Sequence, residues 1–171
     1  MSKKTIYQSY EDKEKLIFEI TNRVITHQLA IMRGIREQSK DAIEEMLVSM
    51  HSMSKMMNCI SPTVFYDMQR FYPSAWKNFQ EFKNKHITGY IEENLRSGMD
   101  MGLYRENLDT RIMARLRLQE IEIGFNPEVF PMDRFNIPDV QLAMMDHFLH
   151  GIVTIKGHRL INKYRQIQEE E

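Results

Sequence analysis

The side chains in this chain with the most chemical potential are soft or aromatic, and few of them are spaced for catalysis. Met50-x-x-Met53-x-x-Met56 puts three thioethers on one helix face, the arrangement a soft cuprous ion would use. With 14 methionines in the chain, flexible filling of a core or cavity accounts for them more simply. His147-x-x-His150, with Asp146 beside it, could offer two imidazoles to a metal, but no Cys or second cluster stands nearby in sequence to complete a shell. His27, His51, His86 and His158 are scattered. Cys59, the single cysteine, cannot make an internal disulfide and reads as a small buried hydrophobe. Neither a nucleophile with its base nor a carboxylate pair occurs at a recognisable spacing. An enzyme is therefore not expected, nor a metal or cofactor. The aromatics Phe65, Tyr66, Phe71, Tyr72, Trp76, Phe79 and Phe82 are concentrated in one stretch. Core packing is the default for such a stripe, and an apolar pocket with Tyr and Trp as polar handles is the functional alternative.

The elements that must position these groups are helices. Seven Gly and five Pro punctuate 171 residues, and the stretches between them are rich in Leu, Met, Glu, Lys and Gln. Hydrophobic residues at 42% and charged residues at 27% are the proportions of a folded globular domain. No apolar run approaches the roughly eighteen residues of a membrane span, and the N-terminus is charged where a secretory signal would be apolar, so a cytoplasmic protein without membrane contact is expected. Periodicity predicts about six helices: a short one from Lys3 to Ser9, a long one capped by Asp12 and ending near Gln38, and a third opened by the Asp41/Glu44 capping pattern and striped by Ile43, Met46, Leu47, Met50, Met53 and Met57. Ser61-Pro62 opens a short helix, and a longer one runs from Ser74 until Gly98 and Gly102 end it. Asp109 caps the next, which stops at Gly124. The last is read as one helix from about Asp139 to Gln166. Its apolar pairs Met144-Met145, Phe148-Leu149, Ile152-Val153 and Leu160-Ile161 make a stripe wider than one neighbour covers, and Gly151 and Gly157 would admit a close partner. A second copy of the chain is the simplest one.

Two stretches carry a family resemblance. Ser2-Lys3-Lys4-Thr5-Ile6-Tyr7-Gln8-Ser9-Tyr10, followed by Glu11-Asp12-Lys13-Glu14-Lys15-Leu16, resembles the recognition helix of TetR-family regulators and the start of the helix after it. Gly98-Met99-Asp100-Met101-Gly102-Leu103-Tyr104-Arg105-Glu106-Asn107-Leu108-Asp109 is similar, more weakly, to the link between that family's seventh and eighth helices. The resemblance implies an all-α, TetR-like bundle. Residues 1–11 would be a remnant of a helix-turn-helix DNA-binding domain, and residues 12–171 a ligand-binding and dimerisation domain. It implies that Ser2, Lys3, Lys4, Thr5, Tyr7, Gln8 and Lys13 serve DNA, with Tyr7 and Lys13 on backbone phosphates and the others at or near base edges. It also implies a pocket for a small hydrophobic or aromatic effector drawn from Met53, Met57, Phe65, Phe71, Tyr72, Trp76, Phe79 and Tyr90.

The charge distribution agrees with a DNA-facing tip: residues 1–40 hold eight basic and five acidic side chains, while the whole chain has net charge -1. The family's head has three helices, and the two that brace the recognition helix would precede Met1. A lone helix of about eight residues is marginal in water, so this chain by itself is expected to bind operator DNA poorly. The function expected is that of a ligand-responsive DNA-binding transcriptional regulator, a repressor, truncated at its start and acting as a homodimer through its last two helices. The alternative is a helical small-molecule sensor or dimerisation module that does not bind DNA.

Overall fold

A computed structural model of the chain describes residues 12–57, 60 and 63–166. Among them the fold is all-helical: α1 (Lys13–Gln38), α2 (Ala42–Met57), α3 (Thr63–Phe71), α4 (Pro73–Glu81), a π-helical stretch (Phe82–Ile87), α5 (Thr88–Asp100), α6 (Thr110–Gly124), α7 (Ile137–Ile152) and α8 (Ile155–Arg165). No helix of the described residues is long and apolar enough to cross a membrane. The short helix expected at 3–9, the Ser61-Pro62 start and Cys59 lie outside the described residues.

Side-chain caps set several helix starts. Asp12 accepts from the Lys15 N–H at 2.7 Å, Asp41 from the N–H groups of Ile43 and Glu44 at 2.9 and 3.0 Å, and Asp109 from those of Arg111 and Ile112 at 3.0 and 3.1 Å. Glu44 completes a variant of the expected capping box, reaching back to the N–H of Lys40, one residue before the cap, at 2.6 Å. Pro73 and Pro138 sit in the first turns of α4 and α7, where no N–H is needed.

The main core is built by α2, α5, α6, α7 and α8. Ile43, Met46, Ile91, Leu95, Ala114, Met145, Phe148, Leu149, Ile152 and Ile161 are buried there together with Leu103 and Tyr104 of the α5–α6 link. Each large apolar side chain buried this way stabilises the fold by about 1.5–3 kcal/mol before entropy is counted. The helices α1, α3 and α4 form a second packing unit around Met68 and Ala75.

Three features differ from the sequence-based expectation. The last helix is two helices, because Val153 is extended and Thr154 starts α8 by accepting from the Gly157 N–H at 3.2 Å. The break is stitched to the α5–α6 link: Arg105 N–H donates to the Ile152 carbonyl and Thr154 N–H to the Leu103 carbonyl, both at 2.9 Å. Those bonds satisfy groups that a continuous helix would have paired internally. Gly157, expected to admit a partner, is buried against this chain's own link, where a Cβ would stand 2.3 Å from the Leu103 carbonyl oxygen. Gly98 does not end α5. It lies inside the helix under the Tyr104 ring, while Gly102, at φ +66°, makes the turn beyond it.

Candidate functional site

The described residues singled out for ligand binding fall into four places. Phe65 of α3 and Trp76 and Phe79 of α4 form one half-buried cluster, with ring centroids 5.1 Å apart for Phe65–Phe79 and 5.7 Å for Trp76–Phe79. Tyr72, placed before Pro73, leaves the helical backbone region and ends α3, and α4 starts at Pro73 in a new direction that lets these rings meet. Phe71 and Tyr72 stand at that break instead. Phe71 is 58% exposed with the Arg70 guanidinium 5.5 Å from its ring centre, and Tyr72 receives the Lys13 ammonium at 5.4 Å. Met53 is half-buried, and the Met57 side chain lies outside what is described. Of the residues expected to serve DNA only Lys13 is described, at the exposed first turn of α1; Ser2, Lys3, Lys4, Thr5, Tyr7 and Gln8 lie outside the described residues.

The first half of α1 rests on the α3–α4 corner. Besides the Lys13–Tyr72 contact, the Ser74 hydroxyl donates to Glu14 at 2.8 Å, and Thr21 approaches the Met68 sulfur at 3.7 Å.

Tyr90 belongs to a different place, the polar junction at the other end of α1. The Arg36 guanidinium lies 4.3 Å from the Tyr90 ring centre, donates to the Tyr90 carbonyl and to Glu45, each at 2.9 Å, and pairs with Glu93. Glu45 is only 5% exposed, and its second oxygen accepts from Asn94 Nδ2 at 3.0 Å. Asn94 also donates to the Ala42 carbonyl at 2.8 Å, and the fully buried Tyr104 hydroxyl lies 3.1 Å from both that carbonyl and Asn94 Oδ1. Partial burial works against the Arg36 charge, but hydrogen bonding and attraction to Glu45 and then Glu93 outweigh it, holding its pKa above the ordinary arginine value. Burial first, and the nearby carboxylates after it, push the hydroxyls of Tyr90 and Tyr104 far above the ordinary tyrosine range, although a hydrogen bond from Ser49 opposes this at Tyr90. A cleft of about 190 Å³ opens beside Arg36, Glu45, Glu93, Ser97 and Met101.

Much of the paired apolar stripe of the last predicted helix is covered by the chain itself. Met145, Phe148, Leu149, Ile152 and Ile161, members of the paired stripe, are buried in this chain's own core. An outward apolar face lies on α6, where Ile112, Leu116 and Ile123 are 65, 47 and 43% exposed at spacings of four and seven residues, with Leu142 of α7 at 47%; Ile155 at the start of α8 is 77% exposed. His147 is exposed, and His150 turns to Asp146 and to His158, whose ring centre is 5.0 Å away. Among the described residues no group of three or more His, Cys, Asp or Glu side chains could hold a metal ion.

A second cleft, about 300 Å³, lies between α2 and α7, with Met50, Ser54, Pro138, Gln141 and Leu142 among its walls. Neither cleft is lined by any of the eight residues expected to bind an effector. Asn94, Arg117 and Gln141 are each 1% exposed and were not singled out from sequence, although a signal existed: all three are polar residues at positions that helical spacing assigns to an apolar stripe. Arg117 is the most constrained of them. Burial lowers its pKa, with the nearby Glu120 at 3.2 Å opposing, and its guanidinium stands 5.7 Å from the Phe148 ring centre.

Compared with protein-family models, with curated proteins and with solved structures, the chain matches none.

Proposed function

We propose that this chain is the sensing and dimerising body of a ligand-responsive transcriptional regulator of the TetR type, a repressor whose DNA-contacting residues precede and open α1. The observation that carries the reading is the double attachment of α1. This single helix of 26 residues, about 40 Å long, starts directly after the recognition-helix-like motif. It is held near its start by the α3–α4 corner and at its end by the Arg36 junction. A helix fixed at its far end and leaned upon at its near end is a lever. An effector that repacks Phe65, Trp76 and Phe79 displaces α4, and α4 displaces the N-terminal half of α1. In a dimer joined through the exposed face of α6 and through α7, that displacement changes the spacing between two recognition helices, which must match successive major grooves.

The test is made on the gene's full reading frame, including any in-frame codons upstream of Met1. That protein is expected to bind a palindromic site with an affinity that falls steeply as salt rises. Tyr7→Ala and Lys13→Ala would weaken binding about equally across sequences, whereas Lys4→Ala or Gln8→Ala would change base preference. Absence of DNA binding by the native protein would leave a helical small-molecule sensor in place of the regulator.

A further inference from the structure

We propose that α6 docks on the α6 of a second copy of the chain with the two helices antiparallel, so that each Glu122 stands between Arg111 and Arg115 of the other copy. The inference rests on the dimerisation in the proposed function and fixes its orientation; DNA binding does not enter it. Ile112, Leu116, Gln119 and Ile123 are all exposed on α6. Their spacings of four, three and four residues are those of a coiled-coil seam. At about 100° per residue the four fall within an arc of roughly 60°, a stripe narrow enough for one helix to cover.

The charges beside the seam say which helix covers it and which way that helix runs. Arg111, Arg115 and Glu122 project on one flank, the two bases toward the start of α6 and the acid toward its end. Beyond its Asp109 cap, the first turn of α6 has no acidic residue and its last turn no basic one, the reverse of what the dipole of a single helix favours. That order is self-complementary. With Ile112 level with Ile123 of an antiparallel copy, Leu116 comes level with the copy's Gln119 and like flanks meet across the two-fold axis. Glu122 then lies about 3 Å along the axis from each of the copy's Arg111 and Arg115, the rise of two residues. The groups are already held in place: Glu122 pairs with Lys83 and accepts from Gln119 at 2.5 Å, and Arg115 donates to Asn84 Oδ1 at 2.8 Å. Little freedom is therefore lost when the copies meet, and a carboxylate has lone pairs to spare for further donors. Parallel copies would bring opposite flanks together and set Glu122 beside the other copy's Glu120, a repulsive pairing.

The experiment uses the full chain carrying Cys59→Ser, which removes its single cysteine. Ile112→Cys and Ile123→Cys are added to it separately and together, and each protein is mildly oxidised and run on a denaturing gel. In the antiparallel pair two copies of the same position lie about 16 Å apart along the helix, too far for a disulfide, so neither single variant is expected to cross-link. The variant with both cysteines is expected to form a covalent dimer. A separate variant, Arg115→Glu, is expected to raise the dimer dissociation constant about tenfold at low salt with unchanged helical content, an effect that fades near about 1 M salt. Cross-linking by either single variant, no cross-link in the double variant, or an unaltered dissociation constant for Arg115→Glu would overturn the proposal. In the first of these cases dimerisation stands and only its orientation falls; a monomer in sedimentation removes both.

Discussion

Glu45 is a carboxylate that the fold can bury only because Arg36 and Asn94 serve both of its oxygens. Asn94→Leu removes one of those donors and a partner of the Ala42 carbonyl. It is expected to cost about 2 kcal/mol, read as a lower urea midpoint with an unchanged slope; a midpoint that does not move would mean the junction adds nothing to stability. Tyr104 gives the junction a pH dependence with a definite sign. Its folded pKa is raised, so the unfolded chain gives up the hydroxyl proton near pH ~10 while the folded chain keeps it. Stability from this group is therefore complete below about pH 10 and is lost as the pH climbs from there toward the folded value. Tyr104→Phe should make the alkaline fall in stability shallower, and urea midpoints taken on either side of about pH 10 would reveal it. Of this junction, the only local signal was Asn94, a polar residue at an apolar-stripe position of α5. The pairing of Arg36 with Glu45 and Glu93 joins three separated segments, which no local spacing encodes.

Two glycines in helix interiors separate local propensity from tertiary packing. Around Gly34 of α1 an added Cβ would meet nothing within 4 Å, so Gly34→Ala should raise stability by up to about 1 kcal/mol. At Gly98 the same atom would lie 2.1 Å from Cδ2 of the fully buried Tyr104 ring, which has no room to retreat. Gly98→Ala should therefore destabilise by about 1–3 kcal/mol despite the better propensity. Thermal melts of the two variants should shift in opposite directions, and a shift upward in both would mean that the α5–α6 link repacks freely. The helix starts governed by Asp12, Asp41 and Asp109 were legible in sequence because a cap and its N–H partners lie within three residues. The break at Val153-Thr154 was not, because its cause is a set of bonds to residues about fifty positions away. Phe65, Trp76 and Phe79 could be grouped from their spacing, but Tyr90 could not be separated from them. Between it and the cluster lies the π-helical stretch, which no Gly or Pro announces and whose extra residue turns the faces of α4 and α5 by about 100° relative to each other.

For the whole molecule, the unpaired apolar face of α6 makes self-association the testable property. Sedimentation at micromolar concentration is expected to give a dimer, and Leu116→Glu a monomer with unchanged helical content, since that side chain is 47% exposed and supports no core. A wild-type monomer would remove dimerisation from the proposed mechanism. The stretch Phe82–Ile87 also bears on time. It joins the α1–α3–α4 unit to the main core, and its wide turn is closed by bonds such as that from the Thr88 N–H to the Lys83 carbonyl, five residues back. Such a turn is a weak seam within one long rod. In native-state hydrogen exchange, the amides of α5 should then open only with the whole protein, while those of α4, together with α1 and α3, open sooner and as a group. The molecule would thus have two clocks, a slow one for the main core and a faster one for the α1–α3–α4 unit.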